Sequence, residues 1–159
     1  MPRTNHTEWM RAAMREAHKG MAKNHGGPFG AVVVLNGKII GRGHNLVTST
    51  NDPTAHAEVV AIRDACRRTK SFHLPNAVIY ASCEPCPMCL AAIYWANIRA
   101  VYFSLTKRDA KAIGFDDSFI YQEFRKPMKG RSIPCKQIHD PADKKLFARW
   151  LEKLDKIQY

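Results

Sequence analysis

Nowhere in this chain of 159 residues is there a run of about 18 uncharged apolar residues, the length a helix needs to cross a bilayer. Met1 to Trp9 is polar and lacks the apolar stretch of a secretion signal, so the cytoplasm is the expected compartment. Repeats, low-complexity tracts and linker-like segments are missing as well. One domain over residues 1–159 is therefore expected, and 45% hydrophobic residues supply it with a core. Cysteine is scarce and odd in number: of five, Cys83, Cys86 and Cys89 fall within seven residues. That bunching suits a metal site better than a disulfide framework. Nor does a basic arm accompany the formal net charge of +11. Eleven basic and five acidic residues lie in 1–80, fourteen and nine in 81–159, giving +6 and +5. So even an excess describes a solvated basic surface at least as well as a nucleic-acid footprint.

What is present reads as alternating helix and strand. Met10, Ala13, Met14, Ala17 and Met21 fall at helical spacing, Asn5 with Glu8 resembles a capping box, and Gly26-Gly27-Pro28 stops the run. Ala31 to Leu35, the turn Asn36-Gly37 and Lys38 to Gly41 form an antiparallel hairpin. After a loop over 43–55, Thr54 is the expected N-cap of a helix over 56–68 that buries Val59, Val60 and Ile62. A strand over 77–81, a helix over 85–96, a strand over 100–105 and a helix over 106–113 follow. Residues 125–133 read as loop. Leu146, Phe147, Trp150, Leu151 and Leu154 give a last amphipathic helix after Pro141. Helices between strands predict an α/β fold whose mixed, partly parallel sheet is covered on both faces.

The sharpest chemistry lies in His56-Ala57-Glu58 and Pro85-Cys86-Pro87-Met88-Cys89, each at the expected start of a helix. The pair matches the zinc deaminase signature H-x-E with P-C-x-x-C. A catalytic zinc takes three protein ligands and leaves a fourth position for water; His56, Cys86 and Cys89 make that set, for one zinc per chain. A helix N-terminus is expected to lower both thiol pKa values. Glu58, two residues from His56, is placed to move a proton without ligating the metal. Competing readings exist. A redox pair or half of a structural zinc site leaves Glu58 idle. Cys83, Cys86 and Cys89 also match three-quarters of an iron-sulfur run, but its fourth position is Ile93. Cys83 reads as a supporting or core thiol, and Cys66 and Cys135 as small buried hydrophobes.

Beyond the metal motif, Gly26 to Val32, Asn51 to Val59, Ser82 to Cys89 with Ala92 to Ala96, and above all Gly114 to Tyr121 resemble bacterial guanine deaminases of the cytidine-deaminase-like fold. The resemblance spans nearly the whole chain. It implies a three-layer α/β/α architecture with a sheet of about five strands, zinc on His56, Cys86 and Cys89, and Glu58 as proton shuttle. It further implies that Asp117 assists at the purine amino group and that Asn45 and Phe29 hold the base. Read alone, Asp116-Asp117 is a turn or helix cap, Asn45 a loop residue and Phe29 core. The implied reaction is hydrolysis of guanine to xanthine and ammonia. The implied assembly is a homodimer exchanging a C-terminal segment of about 130–159, with Tyr159 closing the site. A tRNA adenosine deaminase is the alternative that the basic charge favours, and a guanosine deaminase is a third reading.

Overall fold

In the computed structural model, which describes residues 5–140 and 143–159, Asn36 and Gly37 take positive φ of 50° and 72°. That is the pair of left-handed residues a two-residue hairpin turn needs. They join β1 (Gly30–Leu35) to β2 (Lys38–His44). Upstream, α1 (His6–Ala22) starts at Asn5, whose side chain accepts the Glu8 backbone N–H at 3.2 Å. After β2 come α2 (Val47–Thr50), α3 (Ala57–Thr69), β3 (Val78–Cys83), α4 (Pro87–Trp95), β4 (Ala100–Leu105) and α5 (Lys107–Ala112).

The sheet order is β2-β1-β3-β4, with β1 antiparallel to both neighbours and β3 parallel to β4. The parallel pair needs a crossover, which α4 supplies. Among the described residues there are four strands rather than the five expected, because beyond Leu105 the chain forms only helices. Alternation along β1 divides the core. Ala31 and Val33 face Ala57, Ala61, Ala65 and Ile93 of α3 and α4. Val32 and Val34 face Ala12 and Ala13 of α1. Helices on both faces are the three-layer arrangement.

Small residues let α3 press onto β2. A Cβ on Gly43 would lie 2.5 Å from the Ala61 nitrogen, and Gly41 faces Ala61 and Ala65 in the same way. Any side chain there would lift the helix and with it His56.

The chain divides into two compact units, one ending at Asp117 and one beginning at Ser118. The second holds α6 (Ser118–Arg125), a short 3-10 turn (Met128–Gly130) and α7 (Asp143–Glu152). Helix α6 went unassigned in the sequence, and the 125–133 loop contains the 3-10 turn. Within this unit Glu123 accepts from the Ser132 backbone at 2.7 Å and from Lys126, which together hold its carboxyl at about 2. None of its described residues is buried. Pro141 lies outside the described residues. No helix among them is long and apolar enough to cross a membrane.

Candidate active site

The site grows from two helix starts. His56 is the N-cap of α3 (φ −68°, ψ 155°) and Cys86 the N-cap of α4 (φ −66°, ψ 167°), and neither side chain caps its helix. Both are thereby free for another partner. The expected cap Thr54 is used elsewhere: the Asp52 carboxylate accepts from its backbone N–H at 2.8 Å and its hydroxyl at 2.6 Å, an Asx turn that ends two residues before the cap. Pro87 sits at the first helical position of α4, where its missing N–H costs nothing. The Glu84 N–H donates to the Leu105 carbonyl at 2.8 Å and holds the approach to Cys86 along β4.

These starts bring His56 Nδ1 to 3.5 Å from the sulfurs of both Cys86 and Cys89, and all three donor atoms lie within 4.8 Å of one another. The donor set fits zinc. Tetrahedral bonds of about 2.3 Å to sulfur and about 2.0 Å to nitrogen put the two atoms about 3.5 Å apart. Hydrogen bonds from Cys89 and His56 bring the Cys86 thiol down to about 4. Cys89, which keeps the proton it donates to Cys86 and is fully buried, moves up instead. The expected lowering of both thiols therefore holds in direction for Cys86 alone, and through hydrogen bonds rather than the helix start. Hydrogen bonding to Cys86 raises the pKa of His56.

Glu58 follows in the first turn of α3, only 7% exposed. Burial lifts its carboxyl above the ordinary range, against hydrogen bonds from its own backbone and from Cys89. A buried carboxyl with a raised pKa beside a thiol pair is a group that can hold and release a proton.

Around this centre, the Leu46 N–H donates to the Ala55 carbonyl at 2.9 Å, so Asn45 neighbours the start of α3. Asn45 is 5% exposed; its backbone N–H donates to the Phe29 carbonyl at 3.0 Å, and its Oδ1 accepts from Val47 at 3.1 Å. Phe29 meets Phe115 edge-on at 4.9 Å. Helix α5 ends in a Schellman motif: Gly114 donates to Lys111 at 3.0 Å and Phe115 to Ala110 at 3.0 Å, with Gly114 at φ 95°. That glycine turns the chain so that Phe115 reaches Phe29 and Asp117 lies within electrostatic range of Cys86. Partial burial, then the Cys86 charge, raise the Asp117 carboxyl.

Tyr159 belongs to the second unit and is exposed. Cys83 is buried, donates to the Thr106 carbonyl at 3.4 Å and is pushed up to about 11 by burial, and is not among the grouped donors. Cys66 is half-buried, whereas Cys135 is exposed, contrary to its reading as a buried hydrophobe. Phe115 lies in the Gly114 to Tyr121 segment that carries the resemblance, but its contact with Phe29 has no signal in the sequence beyond the helix-ending Gly114 before it.

A family model described as the cytidine and deoxycytidylate deaminase zinc-binding region matches residues 3–105. Guanine deaminase of Bacillus subtilis (strain 168) is 47% identical over 155 residues, 98% of this chain and 99% of that protein. The X-ray structure of guanine deaminase from Bacillus subtilis superposes with a TM-score of 0.95 at 47% identity, covering 98% of this chain and 99% of that one. The tRNA-specific adenosine deaminase of Buchnera aphidicola subsp. Schizaphis graminum is 41% identical over 103 residues, 65% of this chain and 68% of that protein.

Proposed function

The chain belongs to the family of zinc-binding cytidine and deoxycytidylate deaminases, and from that premise we propose that it hydrolyses guanine to xanthine and ammonia. The observation that carries this reading is likeness over 98% of the chain to a guanine deaminase, a span that runs past the matched zinc-binding region ending at residue 105.

His56, Cys86 and Cys89 would hold the zinc, which would supply Lewis acidity to the attacking water and lower its pKa to about 7. Glu58 takes the proton from the attacking water and passes it to N3 of the purine; it then takes the second proton from the hydroxyl now on C2 and delivers it to the amine, which leaves as ammonia as the C2 carbonyl forms. Its buried carboxyl suits both directions of transfer. Asn45 binds the purine edge through the amide nitrogen left by its Oδ1–Val47 bond. Phe29 and Phe115 form an apolar wall against the base, and Asp117 accepts from the amino group as it leaves.

The enzyme acts as a cytoplasmic homodimer in which the C-terminal segment is exchanged and Tyr159 closes the partner's site. Five free cysteines suit a reducing compartment. Exposed Phe119, Phe124, Leu146, Phe147 and Leu151 in a unit with no buried described residue call for an apolar cover. Zinc-loaded enzyme offered guanine, guanosine, cytidine and adenosine-34 tRNA should release xanthine and ammonia from guanine. Inosine in tRNA with no xanthine from guanine overturns the reading.

A further inference from the structure

Apart from the zinc centre, the first unit carries a surface cavity of about 460 Å³ between α1, β2 and α3. Five cations line it: Lys19, Arg42, Arg63, Arg67 and Arg68. Only two carboxylates, Glu16 and Asp64, oppose them in the wall. The acids are the shielded partners, 10% and 13% exposed at the side chain, while the cations are 46% to 78% exposed. The acids thus act as anchors and the cations as the presented surface.

Each anchor orients several cations and satisfies none of them fully. Asp64 takes Arg67 Nη2 at 2.6 Å, Arg68 Nε at 2.9 Å and the Arg42 backbone N–H at 3.1 Å. Glu16 takes Arg42 Nη1 at 3.5 Å and Lys19 at 3.7 Å. A guanidinium has five N–H donors, so one bond to an anchor leaves donors for a planar or bidentate anion contact. Fixing these side chains in advance removes part of the entropy cost of binding. Arg42 links the two clusters, its backbone on Asp64 and its guanidinium on Glu16.

We propose that this cavity is a binding site for an oligophosphate, two or more linked phosphate groups either free or carried on a nucleotide. Its volume is that of a small-molecule site, and the wall's excess of three positive charges matches the charge of a di- or triphosphate. Nucleic acid is the weaker occupant, since the remaining basic residues are spread evenly along the chain and offer no arm or tail to follow a backbone.

Calorimetric titration of the full-length, zinc-loaded protein with pyrophosphate and with ADP tests the site. One molecule of each should bind per chain, each displacing the other, with affinity falling as salt rises. The Arg67→Gln/Arg68→Gln double variant should bind about tenfold or more weakly, the loss of two charge-assisted bonds, with guanine turnover unchanged. Arg63→Gln, whose ion pair with Asp52 is largely exposed, gives a second reading should the double variant melt early. ADP binding tighter than pyrophosphate assigns the phosphates to a nucleotide, and equal binding assigns them to a free oligophosphate. Silence of both ligands at millimolar concentration, or equal binding by wild type and every variant, overturns the site. So does variant-sensitive binding of a 20-nucleotide RNA while pyrophosphate and ADP are silent.

Discussion

The ring of Phe115 meets the ring of Phe29 edge-on, centroids 4.9 Å apart and planes at 90°. Gly27 lies against both: a Cβ there would sit 2.8 Å from Phe115 Cζ and 3.0 Å from Phe29 Cε2. Such a pair contributes about 0.5–1.5 kcal/mol beyond its buried area. Phe115 is 46% exposed, so Phe115→Ala should cost little melting temperature. If the pair is a wall for the base, the same change should raise KM for guanine about tenfold, the equivalent of one lost apolar contact of that size, with kcat changed less. Steady-state kinetics beside a thermal melt separates the two effects.

Metal analysis tests the donor set. One zinc per chain is expected, because the described residues contain one such group. Cys86→Ser and Cys89→Ser should lose the metal, while Cys83→Ser should retain it, since that thiol is held protonated and bonded to Thr106. Iron with sulfide, or zinc lost from the Cys83 variant, would reassign the ligands.

Glu58→Gln keeps the shape of the buried side chain and removes its capacity to carry a proton. Turnover should fall about 10²- to 10⁴-fold with zinc content unchanged. Near-normal turnover would move the proton shuttle elsewhere. Asp117→Asn should also slow guanine turnover; a change confined to thermal stability would return that residue to a turn role.

The zinc ligands and most of the fold were legible because their signals are local. Asn36-Gly37 dictates its own turn, and the ligand spacing is set by one helical turn, Cys86 to Cys89. Less legible were features decided by which of several partners a group takes or by a partner far along the chain. Thr54 looks like a cap until Asp52 claims it. Cys89 looks like a low-pKa thiol until Cys86, three residues back, takes the hydrogen bond. Gly43 looks like loop until the Ala61 backbone arrives 18 residues later. The cluster of Glu16, His25 and His44 has no sequence motif, because it is assembled from α1, the following loop and β2.

That cluster gives stability a pH dependence. His44 Nε2 lies 3.0 Å from His25 Nδ1, and its Nδ1 lies 3.5 Å from Glu16. Burial lowers the His44 pKa, outweighing the hydrogen bond and charge of Glu16 that raise it, with His25 and Lys19 adding to the lowering. A base with a depressed folded-state pKa stabilises the fold above its unfolded value of about 6.5 and loses that contribution as pH falls through the folded value. Because the zinc ligands also titrate in acid, the test is a difference. The melting temperature of wild type minus that of His44→Gln should shrink between about pH 7 and about pH 5. A constant difference would show that His44 has the same pKa in the folded and unfolded states.

Exchange of the C-terminal segment predicts a complementation that no self-contained chain can produce. Consider one chain truncated before Tyr159 and a second carrying Asp117→Asn. Each forms an inactive homodimer, the first through loss of its closing residue and the second through loss of its acid. In a hybrid with exchanged segments, the truncated chain's site keeps its own Asp117 and receives the intact tail of its partner, so one of the two sites is whole. Random mixing makes half the dimers hybrid, and activity should recover to about one quarter of wild type. Without exchange, every site lacks either its tail or its acid and the mixture stays inactive. Subunit exchange is followed separately with differently tagged chains, so inactivity in a mixture proven to contain hybrids places tail and site on the same chain.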